Sequence, residues 1–534
     1  MTNTPLSKSQ SDNDLSPDVI DVLISGAGPV GLALALDLGR RGVRSTIIEK
    51  KPEISTEVLA KASVLDERTM EYCRLLGVRD DVVNSGYPAD LPADTVYCTS
   101  FDGHYIGRLE MPSALERETP EQTCEMMRRC PQMLFDPILA RAVEKQGMAT
   151  VRYSCEVVSA EQDADGVTCS VKHVETGSAE HFRARFVVAC DGASSLLRKA
   201  VDIGFKGQDL GFAFSAIVRI QDLHSYHNFG AAAERYLFMG PEGTWANFTT
   251  IDGQDLWRFT VTGSGERVDP DTVDLKGILR KAIGREDVPF EVLRVNQWRR
   301  SQYIAEKYRS GRIFLAGDSA HTMSPTGGHG LNTGLGDVSD LSWILQAVLE
   351  GWGGQGLLDA YEIERRPVAV RNGVLSTRNF GLWKDRQGRD KILESGPIAD
   401  EQRRVLGETL ALHMRQEFQS IGLALGYSYA NSPVVINDGS PAPEDQPDIY
   451  IQTARPGHRA PHFWLKDGRS SLDIFGQGFV LLAFSAEGES IKEPLQSAAA
   501  TLRLPLKYVN IEVQSGAQLY QHKLVLAVLA YRDI

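Results

Sequence analysis

The chain has 534 residues, of which 42% are hydrophobic, 24% charged and 8% aromatic. This length is enough for about three to five domains, and the composition excludes a collagen, a wholly disordered chain and a disulfide-rich miniprotein. The 57 Lys and Arg residues against 70 Asp and Glu residues give a net charge of −13. That balance repels phosphate backbones and anionic lipids, so neither nucleic acid nor a membrane is an expected partner.

The sequence contains no predicted membrane span or signal peptide. Its most apolar runs, 479–484 and 524–531, have the length of strands, whereas a spanning helix needs about 18 or more apolar residues. Residues 1–17 are polar where a signal peptide would be apolar, so we interpret them as a disordered tail. The seven cysteines all lie within the first 190 residues and form no Cys-x-x-Cys pair. They indicate reduced thiols in the cytoplasm, with neither a disulfide framework nor a metal site.

A glycine-rich turn follows the first predicted strand, which covers residues 19–24. The turn has the spacing G-x-G-x-x-G and consists of Gly26, Ala27, Gly28, Pro29, Val30 and Gly31. Apolar residues at helical spacing then predict a helix that stops near Gly42, and residues 45–48 predict a second strand. That strand ends in Glu49, 18 residues after Gly31, where a carboxylate can bind both hydroxyls of an adenosine ribose. The pattern predicts a dinucleotide site with the pyrophosphate at the helix N-terminus.

Two further motifs each follow a predicted strand. Residues 185–190 lead into Asp191, which either takes part in a nucleotide site or caps the next helix. Residues 312–316 lead into Gly317-Asp318, and five glycines then lie between 327 and 336, where a helix begins. So many glycines let a flat group approach the backbone closely. The helix N-terminus behind them offers unpaired N–H groups and a positive partial charge.

In their order and separation, these three motifs resemble those of the flavoprotein aromatic hydroxylases of the para-hydroxybenzoate hydroxylase class. The resemblance implies an α/β fold, with a Rossmann-like FAD-binding domain at 18–211 and 294–425 and an inserted antiparallel β-sheet substrate domain at 212–293. Residues 426–534 resemble the thioredoxin-like C-terminal α/β domain of the phenol-hydroxylase branch. That segment contains no cysteine, so we expect no redox role for it.

The resemblance also implies an activity. FAD, reduced by NAD(P)H, would add dioxygen at C4a, and the hydroperoxide would hydroxylate a phenolic or related small aromatic substrate. A phenol, a hydroxyphenyl acid and a polyketide ring all fit as the substrate, and the choice between NADH and NADPH stays open. If the protein forms an oligomer, we expect a homodimer.

The cofactor contacts follow from the family residue by residue. Glu49 would bind the adenosine ribose, the glycine turn the pyrophosphate, and Asp318 the ribityl chain, while the segment from Gly328 to Asn332 would run beside the isoalloxazine ring. Lys61 stands where the family usually has an arginine, and a lysine cannot make the same bidentate phosphate contact. The other expected contacts are Lys50, Arg129, Gln132, Val157, Asp191, Gly317, Pro325, Gly328, Gly330, Leu331 and Asn332.

Residues 212–293 contain short β-rich runs separated by turns, which predict an antiparallel sheet. In the family such a sheet covers the flavin, so its aromatic residues are candidates for the substrate pocket, with sheet core as the alternative for each. The expected pocket residues are Phe238, Trp245, Phe248, Trp257, Phe259 and Pro325.

No catalytic base stands out in the sequence. Tyr303, Arg299 and His329 are candidates only through their proximity to the Gly-Asp motif. We expect His321 to fix the loop through a hydrogen bond rather than to act as a base.

Three other kinds of flavoprotein serve as alternatives. A flavin halogenase would carry Trp-x-Trp-x-Ile-Pro, and none of the seven tryptophans has that context. A flavin oxidase or dehydrogenase acting on an aromatic substrate and a non-catalytic flavin-binding protein both fit the motifs. Consumption of NAD(P)H that depends on a phenol would separate a hydroxylase from these two.

Overall fold

The computed structural model describes residues 19–56, 61–262, 267, 269, 272–484, 490–511 and 527–530. The predicted disordered tail at 1–17 lies outside these residues. The described chain contains two large sheets with helices packed on them, a small C-terminal sheet and a two-stranded sheet of residues 64–65 and 128–129, which confirms the α/β class. In the part of the chain that the structure describes, no helix is long and apolar enough to cross a membrane.

The strands follow the alternation and β-branched content of the sequence. In chain order they are β1 (Ile20–Ser25), β2 (Ser45–Ile48), β3 (Val64–Leu65), β4 (Thr95–Cys98), β5 (Tyr105–Leu109), β6 (Arg128–Arg129), β7 (Ala149–Arg152), β8 (Cys155–Gln162), β9 (Val167–His173), β10 (Ala179–Ala189), β11 (Phe205–Arg219), β12 (Arg235–Gly240), β13 (Gly243–Thr250), β14 (Leu256–Val261), β15 (Glu291–Ala305), β16 (Arg309–Ser310), β17 (Ile313–Leu315), β18 (His321–Thr322), β19 (Phe479–Ala483), β20 (Leu506–Asn510) and β21 (Ala527–Ala530).

The helices connect and cover these strands. In chain order they are α1 (Pro29–Arg40), α2 (Glu67–Leu76), α3 (Arg79–Val83), α4 (Gln132–Gln146), α5 (Leu196–Ala200), α6 (Leu275–Ile283), α7 (His329–Leu349), α8 (Leu357–Trp383), α9 (Pro397–His413), α10 (Arg415–Phe418), α11 (Ile421–Leu425) and α12 (Lys492–Thr501).

The first sheet has the order β16-β17-β10-β1-β2-β7, and β9 and β8 extend it from β10. The predicted strands at 19–24, 45–48, 185–190 and 312–316 overlap β1, β2, β10 and β17. The pairs within this group are all parallel: β1 pairs with β2 and with β10, and β10 pairs with β17. Their carboxyl ends therefore meet at one edge of the sheet, and each of the sequence motifs follows one of those ends. A ligand site at this edge is typical of such parallel sheets.

The second sheet has the order β18-β15-β11-β14-β13-β12-β4-β5. It is antiparallel, as predicted, except that β12 pairs in parallel with β4. The sheet extends beyond the expected segment 212–293, because β11 and β15 are 15-residue strands that pair along their lengths. Strands β4 and β5, from residues 95–109, also join it, and no local sequence signal marks such a long-range pairing.

The C-terminal sheet has the order β20-β19-β21. β19 pairs in parallel with β20 and antiparallel with β21, and α12 lies between β19 and β20 along the chain. The side chains of Val480 and Leu482 on β19 pack with Phe463, Phe475 and Cys124 in a separate apolar cluster. Because Cys124 belongs to the N-terminal half of the chain, this cluster fastens the C-terminal segment to the rest of the protein.

A buried ion pair strengthens this attachment. The Arg459 guanidinium donates to both carboxylate oxygens of Glu71 on α2, and both side chains are almost fully buried. Burial raises the pKa of the Glu71 carboxyl, but the charge and hydrogen bonds of Arg459 outweigh burial and lower this pKa to about 2. The pair therefore remains ionised at neutral pH.

Arg459→Met should destabilise the protein strongly, because it leaves the Glu71 carboxylate buried without this cation. We expect the free energy of unfolding to fall by about 3–5 kcal/mol at pH 7, measured by urea denaturation with tryptophan fluorescence. The control is Arg404→Met, which removes a surface ion pair with Glu401 and should leave the urea midpoint nearly unchanged.

The same pair predicts a pH dependence. The pKa of Glu71 is 4.5 as a free side chain and about 2 in the folded protein, so the stabilisation is complete above pH 4.5 and declines as the pH falls towards 2. The difference in stability between the wild type and Arg459→Met should shrink over that interval. A difference that stays constant there would contradict this assignment.

Candidate active site

A cavity of about 760 Å³ lies where the carboxyl edge of the first sheet faces the second sheet. All three sequence motifs contribute to its wall. Of the expected cofactor contacts, the cavity is lined by Gly26, Ala27, Gly28, Pro29, Val30, Glu49, Lys50, Lys61, Arg129, Gln132, Val157, Asp191, Asp318, Pro325, Gly328, Gly330 and Leu331. Gly31, Gly317 and Asn332 lie behind this lining and support it.

The glycine turn brings backbone to the cavity surface. Gly26 has φ +106°, which strains any L side chain, and an added Cβ would lie 2.5 Å from the Cys190 carbonyl oxygen. Gly28 precedes α1 as its N-cap, and a Cβ added to it would meet no atom within 4 Å. The backbone at Gly28 is therefore open to a ligand. Gly31 has a packing role instead, since its added Cβ would overlap the Gly26 carbonyl oxygen.

The Glu49 carboxylate is oriented by backbone donors at the end of β2. It accepts hydrogen bonds from the N–H of Ala27 at 2.7 Å and from the N–H of Lys51 at 2.9 Å. Each carboxylate oxygen has further lone pairs for a ligand hydroxyl. The carboxylate thus ties the end of β2 to the glycine turn and can also bind a diol in the cavity.

Asp191 caps the next helix and also lines the cavity. One carboxylate oxygen accepts the N–H groups of Leu196 at 2.9 Å and Leu197 at 3.4 Å, so it caps α5. The other oxygen, Oδ1, is buried and has no hydrogen-bond partner among the described residues, while the residue lines the cavity. Burial raises the pKa of this carboxyl. A ligand donor beside Asp191 would satisfy the remaining oxygen.

Asp337 on α7 fixes the Gly-Asp motif from behind. Its carboxylate accepts from the Gly317 N–H at 3.0 Å, from His321 Nε2 at 2.7 Å and from Arg365 Nε at 3.0 Å. Burial raises the pKa of this carboxyl, but the neighbouring His321 and Arg365 outweigh burial, and the pKa is lowered. His321 therefore fixes the loop, as predicted, and Asp318 beside it lines the cavity. Burial raises the pKa of the Asp318 carboxyl.

The N-terminus of α7 borders the cavity. Gly328 is its N-cap, with φ +74°, and no side chain caps the helix. The first backbone N–H groups therefore keep their positive partial charge for a ligand. Asn332 does not line the cavity, because its side chain accepts from the Asp66 N–H and donates to the carbonyls of Val64 and Gly328.

The second sheet presents a polar face to the cavity. Successive side chains of a strand point to opposite faces, and Arg235, Asn247, Thr249, Arg258, Thr260, Trp298 and Arg300 line the cavity. Phe248, Trp257 and Phe259 lie in the alternate positions, and Trp245 lies at an irregularity in the pairing of β12 with β13. Phe238, Trp245, Phe248, Trp257 and Phe259 pack on the other face in a cluster that includes residues of α6. The expectation that they line the substrate pocket is therefore corrected, and only Pro325 of that set lines the cavity.

The candidate catalytic residues do not meet in the cavity. Arg299 alternates with its cavity-facing neighbours and forms an exposed ion pair with Asp209, and it also donates to the Tyr303 hydroxyl at 3.2 Å. Neither residue lines the cavity. His329 borders a neighbouring cavity of about 330 Å³, and burial lowers the pKa of its imidazole to about 4. Arg299 and Tyr303 therefore lie away from the cavity, whereas His329 lies at the adjoining one.

Several residues that line the cavity were not predicted from the sequence. Trp298 and Arg300 lie on β15, where the alternation of a strand could have selected them once the buried face was known. Trp383 ends α8, and Glu417 and Phe418 lie on α10. Nothing in their local sequence indicates that the chain returns to the cavity there.

Gly31→Ala should destabilise the protein, because the new Cβ would overlap the carbonyl oxygen of Gly26. We expect a loss of about 1–3 kcal/mol in the free energy of unfolding, measured by urea denaturation. The control is Gly381→Ala within α8, where an added Cβ meets nothing within 4 Å. That control should hold or raise stability by up to about 1 kcal/mol, and equal effects of the two changes would contradict the packing role of Gly31.

Known proteins resemble this chain along most of its length. A family model described as an FAD binding domain matches residues 19–373, which include both large sheets and most of the cavity wall. The FAD-dependent monooxygenase apdD of Emericella nidulans is 31% identical over 523 residues, covering 92% of this chain and 83% of that protein. Aklavinone 12-hydroxylase DnrF of Streptomyces peucetius is 30% identical over 491 residues, covering 88% of this chain and 91% of that protein.

A solved structure agrees with these relatives. RebC, soaked with chromopyrrolic acid and with bound 7-carboxy-K252c, matches with a TM-score of 0.88 and 35% sequence identity, covering 97% of this chain and 95% of that chain. The motifs, the two facing sheets and these matches agree with one another. The chain belongs to the FAD binding domain family and, within it, to the para-hydroxybenzoate hydroxylase class of flavoproteins.

Proposed function

We propose that the protein is an FAD-dependent monooxygenase that uses NAD(P)H and dioxygen to hydroxylate a phenolic, polycyclic aromatic substrate. The observation that carries the proposal is a single cavity whose wall joins the three nucleotide motifs to the polar face of the second sheet. When bound, FAD supplies hydride acceptance from NAD(P)H and the activation of dioxygen. The protein then has to bind and orient the substrate and to exclude water from the site.

The residues at the carboxyl edge of the first sheet fit the dinucleotide. Glu49, already oriented by two N–H donors, binds the adenosine ribose, and the open backbone at Gly28 admits the pyrophosphate. Asp318 binds the ribityl hydroxyls. The uncapped N-terminus of α7 stabilises negative charge on the part of the flavin that lies against it. The buried, partnerless oxygen of Asp191 supports the presence of a bound donor.

The other half of the cavity fits a flat substrate. Trp298, Trp383 and Phe418 contribute aromatic surface to its wall, which favours stacking with an aromatic ring and excludes water. The neighbouring cavity of about 330 Å³ shares Arg129, Gly327, Glu417 and Phe418 with the main one. This adjoining space supports a substrate of more than one ring, and the hydroxylase relative named for aklavinone supports the same choice.

We also propose that residues 426–534 form a thioredoxin-like domain without redox function. The parallel pair of β19 and β20 around α12, with β21 antiparallel on the other side of β19, supports that topology. The absence of cysteine after Cys190 in the sequence supports a structural role. Its attachment through the pair of Arg459 and Glu71 is consistent with such a role.

The experiment that tests the proposed function uses the purified full-length protein loaded with FAD. We expect a flavin absorption spectrum, oxidation of NADH or NADPH that speeds up when a substrate phenol is added, and a product that carries one oxygen atom from ¹⁸O₂. Naphthols and hydroxyanthraquinones form the substrate panel. Hydrogen peroxide as the only oxygen product with every compound would favour an oxidase, and absence of bound flavin would overturn the proposal.

Glu49→Gln should weaken FAD binding, because the amide loses the negative charge and turns a donor towards one of the N–H groups. We expect the Kd of FAD to rise by roughly 10- to 100-fold, the range for losing one hydrogen bond to a charged group. The measurement is quenching of FAD fluorescence on titration with apoprotein. Glu161→Gln, an exposed change on β8, is the matched control, and equal affinities of the two variants would contradict the role of Glu49.

A further inference from the structure

The long helix α8 is apolar on two opposite sides. Its inner side is buried against the rest of the protein, and Leu358, Tyr361 and Ala369 belong there to the main apolar core. A helix at the surface of a protein normally turns a polar side to the solvent. The outer side of α8 departs from this rule.

Six exposed residues form a row along the outer side of α8, the outer stripe. From the N-terminal end they are Asp359, Ile363, Pro367, Val370, Val374 and Arg378. Because a helix turns by about 100° per residue, all six fall within an arc of about 100°. Ile363 is 41% exposed, Val370 39% and Val374 57%. Single apolar residues at a surface are ordinary, but a row of them indicates a surface that another molecule covers.

The charged residues beside the stripe are engaged by the protein itself. The Glu362 carboxylate accepts a hydrogen bond from the Tyr308 N–H at 2.8 Å. Arg366 donates to a backbone carbonyl at 3.0 Å, and Arg371 forms an ion pair with Asp445. The apolar side chains of the stripe therefore stay exposed between neighbours that are held in place.

The stripe carries opposite charges at its two ends. Arg309 donates to Oδ1 of Asp359 at 2.8 Å, whereas Oδ2 accepts no hydrogen bond from any residue that the structure describes. The Arg378 side chain forms no ion pair or hydrogen bond within the described part of the chain. One negative and one positive group are thus available to a partner at opposite ends of an apolar row.

The stripe has the same order when it is followed from either end. Its residues are separated by four, four, three, four and four positions. An antiparallel second copy of α8 therefore places Asp359 opposite Arg378 and the apolar residues opposite one another. The apolar pairs are Ile363 with Val374 and Pro367 with Val370. Two parallel helices would instead bring like charges together, which is unfavourable.

We propose that two copies of this chain form a dimer through the outer stripe, with their α8 helices antiparallel about a two-fold axis between Pro367 and Val370. Such an interface uses the same patch of both copies, as symmetric dimers do. The apolar contacts supply most of the attraction, because exposed ion pairs contribute little. The terminal charges fix the direction of the helices. None of the stripe residues lines the cavity, so the proposal is independent of the substrate.

The test is sedimentation velocity of the purified full-length protein, loaded with FAD, over a wide range of concentrations. We expect a species with the mass of two chains, whose fraction rises with concentration. Val374→Glu places a charge within the apolar row and should raise the Kd of the dimer by roughly 10- to 100-fold. Val405→Glu is the matched control, because Val405 lies on α9 outside the stripe and is 47% exposed. It should leave the Kd nearly unchanged.

Charge reversals test the direction of the helices. Arg378→Glu places a negative group opposite Asp359 and should raise the Kd by roughly 3- to 10-fold. Adding Asp359→Lys to the same chain restores opposite charges in the antiparallel dimer, so part of this loss should be recovered. The recovery is partial because Arg309 lies beside Asp359. A parallel dimer would show no recovery, since each position would still meet its own copy.

Three results would contradict the proposal. The first is a single chain at every concentration, which would leave the stripe to another segment or another partner. The second is a dimer that Val374→Glu and Val405→Glu affect equally, which would assign the interface to another surface. The third is a double charge variant that dimerises no better than Arg378→Glu, which would exclude the antiparallel arrangement. All substituted side chains are exposed, so each variant should keep the flavin and circular dichroism spectra of the wild type, and Val370→Glu repeats the first test if Val374→Glu does not.

Discussion

The cavity depends on one buried carboxylate, that of Asp337. It accepts hydrogen bonds from the Gly317 backbone, from His321 and from Arg365, and so joins the end of β17, the following loop, α7 and α8. Arg365 in turn donates to the Tyr429 hydroxyl at 2.8 Å, which extends the network into the segment after α11. A buried carboxylate with fully engaged partners specifies one arrangement of these segments. The Gly-Asp motif can face a ligand because Asp337 holds it from the protein side.

The two sheets contribute opposite kinds of surface to the site. The first sheet presents backbone, through glycines and helix N-termini, and this suits a dinucleotide whose phosphates accept hydrogen bonds. The second sheet presents long polar side chains on one face, because its aromatic residues are packed beneath α6 on the other. On this side the cavity is therefore lined by guanidinium groups and a few aromatic rings, and not by the hydrophobic surface that was expected. Specificity in such a site depends on charge as much as on shape.

The sequence predicts the parts of this site that are local. A strand, a glycine turn and a helix follow one another within about 30 residues, so their spacing alone predicts the dinucleotide edge and Glu49. Asp318 lies in a separate motif, and its assignment rests on the family resemblance. The face of the second sheet is different. Phe248 and Trp257 alternate with Asn247 and Arg258 in a regular way, but which set faces the cavity depends on the helix that covers the other side. The pairing of Arg235 with Glu417 joins segments that are remote in sequence and leaves no local signal.

The interleaving of the two sheets along the chain has a consequence for biosynthesis. The first sheet needs β17 beside β10, and the second needs β18 beside β15, so both acquire their last large-sheet strands only after residue 312 has been made. Strands β4 and β5 emerge early and pair with each other, but the other edge of β4 stays unpaired until β12 has been made. A nascent chain therefore carries unpaired strand edges for much of its synthesis, and such edges are sites of aggregation. Expression of this protein should consequently respond to chaperone supply and to the rate of translation more than its final stability suggests.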